Sequence, residues 1–157
     1  MKLNLPLKIL ICVIFTLGLG FFSGYYSGSA ATDWYQTLNK PFFQPPPWVF
    51  GPAWTLLYIL MGVATAFVWD SSHKAKRTAL MLFLFQFVLN LIWSPVFFKM
   101  QEPGAALVII LNLLLLLVLT MRAYRKVDGR AFKLMIPYLL WVCFATCLNA
   151  SIVYLNQ

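Results

Sequence analysis

Asn90 precedes Trp93 by three residues, Trp54 precedes Tyr58 by four, and Tyr138, Trp141, Ala145 and Asn149 recur at three- and four-residue spacing. On helices each of these sets projects from one face. Every one of them lies within a stretch without charge. An amide in an apolar surrounding costs free energy unless it finds a partner, so Asn90, Asn112 and Asn149 are expected to point into a bundle. A chamber walled by flat rings, with a few amides to orient a guest, suits a large planar apolar ligand. The chemistry missing from these stretches is equally informative. They contain no histidine, carboxylate or basic residue to activate a nucleophile or carry a proton. His73, the one histidine, sits in a basic segment without acids or cysteines at metal-ligand spacing. Hydrolases, metalloenzymes and proton-driven pumps are therefore disfavoured, and no resident cofactor is expected.

The elements that must position these residues follow from composition. Of the 157 residues, 62% are apolar and 10% charged, where soluble domains carry roughly 25% charged residues. No charge falls within Ile9–Thr32, Pro47–Trp69, Thr78–Phe98, Gly104–Met121 or Leu134–Gln157. Each run approaches or exceeds the roughly 18 residues that read as a membrane-spanning helix. The reading is an all-α membrane protein in one domain, 1–157, a bundle of five transmembrane helices over about 9–32, 47–69, 78–98, 104–121 and 134–155. A proline-rich connection over 33–47 is read as a lid loop, because its prolines stiffen the chain outside the helices. Pro52 falls in the first turn of the second span, where a missing N–H costs little.

The net charge of +8 is sorted along the chain. Lys2 and Lys8, then Lys74, Lys76 and Arg77, then Arg122, Arg125, Lys126, Arg130 and Lys133 fall on one side of a five-span bundle. Lys40 and Lys99 alone fall on the other, beside Asp33 and Glu102. The positive-inside rule gives a cytoplasmic N-terminus and an outer C-terminus. The basic residues are accounted for by anionic lipid headgroups, with no role for nucleic acid. Gly28-Ser29-Ala30-Ala31 resembles a signal-peptidase site, but the apolar run before it exceeds the roughly 7–15 residues of a signal core, so a retained span is expected. Cys12, Cys143 and Cys147 read as small apolar packing residues. Gly20, Gly24 and Gly28, at four-residue spacing, read as a face for close helix packing within the chain, or alternatively between chains. The basic stretch 122–133 is expected to connect spans, turning at Asp128-Gly129, and Lys99–Pro103 to be a tight turn between antiparallel neighbours. With no internal repeat, an inverted-repeat transporter is disfavoured.

Taken together, the sequence resembles the TspO/MBR family, whose members are called translocator proteins, tryptophan-rich sensory proteins or peripheral benzodiazepine receptors. The resemblance rests on Asp33-Trp34-Tyr35, on Asn39-Lys40-Pro41 with the prolines after it, on Trp48-Val49-Phe50, and on Trp54-Thr55 with Leu57-Tyr58. It continues with Asn90-Leu91-Ile92-Trp93-Ser94-Pro95 and Phe97-Phe98, and with Pro137-Tyr138-Leu139, Trp141, Ala145 and Leu148-Asn149. It implies a bundle that commonly forms homodimers, with a ligand cavity beneath the first extramembrane connection, and tetrapyrrole ligands such as protoporphyrin IX or haem. By the same resemblance the cavity residues are Tyr35, Trp54, Asn90, Trp93, Trp141 and Ala145. Light- and oxygen-dependent degradation of protoporphyrin, as attributed to some bacterial relatives, would use Trp54 and Trp141. Benzodiazepine-type and sterol ligands are implied for many members. Here the last span ends Tyr154-Leu155-Asn156-Gln157, without the basic residue of the animal sterol motif. Passive passage of porphyrin or sterol is the remaining alternative. A bacterial cytoplasmic-type membrane is expected, or the outer membrane known for some relatives.

Overall fold

Proline and asparagine set where the helices begin. In a computed structural model, which describes residues 3–28 and 33–157, Asn4 accepts a hydrogen bond from the Leu7 amide at 3.1 Å and opens α1 (Leu5–Ser27), with Pro6 in its first turn. A short helix, α2 (Asp33–Thr37), precedes the proline segment. A single 3-10 turn at Pro47–Val49 then leads into α3 (Phe50–Asp70). α4 (Lys76–Ser94) ends in a π turn over Pro95–Lys99, and α5 (Pro103–Val127) runs back beside it. α6 (Gly129–Leu134) packs on α3, and α7 (Ile136–Leu155) completes the bundle against α5. Five segments are long and apolar enough to cross a membrane, Leu5–Ser27, Pro47–Asp70, Lys76–Lys99, Pro103–Val127 and Gly129–Leu155, and no strand occurs among the described residues. The protein is an integral, multi-pass membrane protein.

The helices outrun the charge-free stretches. α5 continues through Arg122, Arg125 and Lys126, and the expected connection over 122–133 is helical except at Asp128. Long basic side chains permit this, since their heads reach the headgroup level while their stems stay on the helix. Asp128 interrupts the helix by capping α6, accepting from the Arg130 amide at 2.8 Å. Its carboxyl is held below the usual carboxylate range by side-chain hydrogen bonds from Arg130. The 33–47 connection is likewise not all loop, because Asp33–Thr37 is helical. The last residues expected in span one, and the Gly28–Ala31 cleavage-like site beyond Gly28, lie outside the described residues.

α1 is joined to α3 by three devices. Thr16 Oγ1 donates to the Tyr58 carbonyl at 2.7 Å. Lys8 pairs with Asp70 at 2.8 Å. Gly62 receives the α1 backbone: a Cβ there would lie 2.6 Å from Val13 Cα. The expected glycine face is only partly realised. A Cβ at Gly20 would strike the Tyr58 ring, whereas one at Gly24 would meet nothing within 4 Å. Gly28 ends α1 with φ 79°. The close-packing glycine that the four-residue pattern does not reveal is Gly62.

Met61, Ala64, Val68, Phe83, Leu117, Tyr124 and Met135 fill the half of the bundle nearer the basic end, each buried almost completely. Two readings of polar and small residues are corrected here. Asn112 does not point inward; it lies exposed on the outer face of α5, with Nδ2 donating to the Val108 carbonyl of its own helix at 2.8 Å. Cys143 and Cys147 are also on the outer surface, and only Cys12 is buried. An α5 that uses Leu113, Leu117 and Tyr124 for the core must turn residue 112 away.

Gly62→Ala is expected to lower the unfolding midpoint of the detergent-solubilised protein, by about 1–3 kcal/mol of stability, since backbone rather than a flexible side chain must give way. Gly51→Ala, where a Cβ meets nothing within 4 Å, should leave the midpoint within experimental error. Equal midpoints for both variants would contradict the close α1–α3 contact.

Candidate functional site

The half of the bundle nearer α2 is hollow. A cavity of about 380 Å³ lies among α1, α3, α4 and α7, with α2 and the π turn at its outer end. That volume falls within the roughly 300–1,000 Å³ of small-molecule pockets. All six residues singled out from the sequence, Tyr35, Trp54, Asn90, Trp93, Trp141 and Ala145, line it.

Each wall has a local cause. On α3, Trp54 lies one turn before Tyr58, and the two rings stack at 5.4 Å between centroids. Trp141 of α7 meets Trp54 edge-on at 6.4 Å and 83°, and Phe50 lies 6.0 Å from Trp141 on its other side. Trp93 of α4 stacks on Phe97 at 5.3 Å and 30°. Its indole N–H donates to Asn149 Oδ1 at 3.1 Å, and Asn149 Nδ2 donates to the Pro103 carbonyl at 2.9 Å. The indole plane is therefore fixed from α7 and from the start of α5. Ala145, between Trp141 and Asn149 on α7, leaves room where a larger side chain would enter the cavity.

The deep end is a hydrogen-bonded chain. Tyr58 OH donates to Asn90 Oδ1 at 3.0 Å, Asn90 Nδ2 donates to Tyr138 OH at 3.1 Å, and Tyr138 OH donates to Gln86 Oε1 at 3.0 Å. All four residues are buried. Gln86 Nε2 is the one buried side-chain polar atom without a hydrogen-bond partner among the described residues. The chain ties α3, α4 and α7 together at the depth where the packed core gives way to the hollow half.

At the outer end Tyr35 of α2 is 2% exposed. It rests on Phe97 and Phe98 at 6.0 and 5.4 Å, donates to Gln44 Oε1 at 3.0 Å, and carries Lys40 Nζ 5.2 Å above its ring. Among the described residues, the proline-rich stretch 41–47 contributes no wall. It runs instead across the end of α7. There the Asn39 amide donates to Asn156 Oδ1 at 2.9 Å, and Asn156 Nδ2 donates to the Asn39 carbonyl at 2.9 Å. The prolines thus strap α2 and the start of α3 in place, and α2 supplies the cover.

Sequence reasoning did not single out Phe50, Phe97, Phe98 or Gly24 for the cavity. Phe97 and Phe98 enter through the π turn, whose altered periodicity places adjacent aromatics against the same chamber. The Pro95 in their sequence is the one visible signal of that irregularity. Among the described residues the polar groups lining the cavity are indole, phenol, amide and hydroxyl groups, suited to stacking and hydrogen bonding.

The helices form a five-span membrane bundle with an aromatic cavity under α2, and sequence comparisons place the chain in a known family. The chain belongs to the TspO/MBR family, whose profile matches residues 12–155. It is similar to the tryptophan-rich protein TspO of Chlorobaculum tepidum, 42% identical over 152 residues and covering 96% of each chain. It is 38% identical over 150 residues to the TspO of Archaeoglobus fulgidus, covering 96% of this chain and 97% of that one. Similarity extends to the translocator protein of Homo sapiens, 38% identical over 119 residues, 74% of this chain and 70% of that one.

Asn90→Ala is expected to destabilise the protein by about 1 kcal/mol or more, because it leaves two buried phenols without their amide partner. The measurement is the unfolding midpoint in detergent, compared with Asn112→Ala, whose amide bonds only its own helix. A larger loss for Asn112→Ala would contradict the role assigned to the buried chain.

Proposed function

We propose that this protein binds a flat, largely apolar tetrapyrrole, protoporphyrin IX or haem, in the cavity and serves in porphyrin handling or stress signalling. One observation carries the reading: Trp54, Trp93 and Trp141, drawn from three helices, converge with Tyr35, Asn90 and Ala145 on a single chamber. Stacked and edge-on ring contacts with a macrocycle would supply the affinity. Asn90 and the free edges of the indoles would orient it. With no charged side chain lining the chamber among the described residues, a ligand's carboxylates are best placed at the outer end, towards α2. Among the described residues no histidine, thiol or carboxylate lines the chamber, so the phenols of Tyr25, Tyr35 and Tyr58 are the lining groups of an axial-ligand type for haem iron. Benzodiazepine-type ligands fit the same description; a sterol offers no flat π-face to the indoles.

The distribution of basic residues supports a cytoplasmic N-terminus, with α2 and the cavity mouth facing the opposite side. A bacterial cytoplasmic-type membrane is the setting we infer.

Titration with protoporphyrin IX should quench tryptophan fluorescence saturably. Trp54→Phe and Trp141→Phe should each weaken the affinity roughly three- to tenfold, as loss of the larger indole face predicts. Wild-type affinity in both variants would remove the site.

The perpendicular approach of Trp54 and Trp141, at 6.4 Å, favours a second reading, light- and oxygen-dependent breakdown of protoporphyrin. In that case dioxygen activated by light would be the oxidant of the macrocycle, and the indoles beside it would pass an electron or react with the photogenerated oxygen species. Loss of the Soret band under illumination should then require both tryptophans. Equal bleaching by the double Phe variant would reject this reading while leaving binding untouched.

A further inference from the structure

The hydrogen-bonded chain beneath the chamber ends on an unmet group. Tyr58 and Asn90 line the cavity, whereas Tyr138 and Gln86 lie behind them. The bonds all run one way, from the Tyr58 hydroxyl through the Asn90 amide and the Tyr138 hydroxyl to Gln86 Oε1, at 3.0, 3.1 and 3.0 Å. Tyr58 thereby commits its proton to the chain and offers the chamber only an oxygen lone pair. At the far end Gln86 is fully buried, and its Nε2 has no hydrogen-bond partner among the described residues. Unmet N–H groups in a core are costly, and these sit at the end that no ligand reaches.

We propose that this chain reverses when a ligand places a hydrogen-bond acceptor, such as a carbonyl oxygen, against Tyr58, and that Gln86 sets the balance between the two directions. Each of the four side chains is both donor and acceptor. No charged group belongs to the chain to pin its direction. Half-turns of the Asn90 and Gln86 amides exchange oxygen for nitrogen in place, and the two hydroxyl hydrogens swing round. Gln86 Nε2 then donates to Tyr138, Tyr138 donates to Asn90 Oδ1, and Asn90 Nδ2 donates to Tyr58. All three bonds survive, every proton stays on its own heavy atom, and the Tyr58 O–H turns to the chamber.

The occupant decides which direction is favoured. With the chamber empty, reversal gives Gln86 Nε2 a partner but strands Gln86 Oε1 and the Tyr58 O–H. A ligand acceptor takes that O–H, so the remaining change is an unmet amide oxygen in place of an unmet N–H, and the oxygen is the less costly orphan. A ligand donor is met by the Tyr58 lone pair with the chain as it stands. Gln86, outside the cavity, is thus a positioning residue for ligand choice. Removing its amide has a definite sign. Without it, the direction shown strands the Tyr138 proton in the core, whereas the reversed direction strands nothing there. Gln86→Met should therefore favour the state that presents the Tyr58 O–H to the chamber.

The reversal bears on ligands only if the chamber takes a flat apolar guest, as proposed above. Fluorenone and fluorene, flat molecules that differ by one carbonyl, are titrated into the full-length protein in detergent, with protoporphyrin IX alongside. Wild type should bind fluorenone about three- to tenfold tighter than fluorene. Tyr58→Phe should remove that preference. Gln86→Met should tighten fluorenone about threefold or more while leaving fluorene within about twofold of wild type. Adding Tyr58→Phe to Gln86→Met should abolish the gain. The infrared carbonyl stretch of bound fluorenone should move to lower wavenumber in wild type and Gln86→Met, but not in Tyr58→Phe. Fluorene affinity reports that each variant keeps its chamber, and Gln86→Leu replaces Gln86→Met if the latter misfolds. Equal affinities for the two probes, an unshifted carbonyl, or no saturable fluorenone binding overturns the proposal. Unchanged or weaker fluorenone binding by Gln86→Met overturns the role of Gln86. Protoporphyrin binding by a protein that fails these tests leaves the tetrapyrrole reading standing. Fluorenone selectivity without protoporphyrin binding supports the reversal and removes the tetrapyrrole reading alone.

Discussion

An amide buried among hydrocarbon must be satisfied, and Asn90 is satisfied only if three helices hold one arrangement. Tyr58 on α3 donates to it, it donates to Tyr138 on α7, and Tyr138 passes on to Gln86 one turn back along α4. Breaking any link leaves a buried polar group unpaired, which costs more than the link itself contributes. The chain therefore fixes the separation of α3, α4 and α7 at one level of the bundle. Below that level large apolar side chains close the interior. Above it the same helices carry rings that lean on one another around a void. Apolar helices have no reason of their own to stay apart, so the polar floor is what lets the chamber persist.

The chamber also depends on how its neighbours are held. Gly20 admits the Tyr58 ring, and Gly62 admits the α1 backbone, so α1 lies close enough to form a wall. Ser23 Oγ donates to the Leu91 carbonyl at 2.7 Å and ties that wall to α4. At the outer end the reciprocal amide bonds of Asn39 and Asn156 anchor the connection to the last helix. This keeps Tyr35 seated over Phe97 and Phe98. Rigid walls matter for recognition, because a preformed cavity avoids the ordering cost of building one around the ligand.

Much of this was legible in the sequence because membrane helices obey a severe solvent rule. The five spans followed from the charge-free runs, and the three- and four-residue spacings of Asn90, Trp93, Trp141 and Ala145 placed them on common faces. The family resemblance added Tyr35 and the link between separate faces, which periodicity alone does not supply. The misjudged features share a cause: they depend on which side of a helix meets which neighbour. Asn112 is an amide within a span like Asn90, but its face of α5 meets no other helix of the chain, so it bonds only the Val108 carbonyl of its own helix. Gly62 stands alone without a repeat to mark it, whereas the conspicuous Gly24 borders a void. The helical Arg122–Val127 reads as connection by charge, yet membrane depth rather than helix length sets where basic residues begin.

The central claim is that the indole-walled hollow above the Tyr58–Asn90–Tyr138–Gln86 chain is where a planar ligand resides. A crystal or cryo-electron microscopy structure with protoporphyrin IX bound tests it most directly. The account predicts the macrocycle inside the bundle, in contact with Trp54 and Trp141 and beneath Tyr35, with the four-residue chain intact. Density for the macrocycle on the outer surface of the helices, with the interior unchanged, would contradict it.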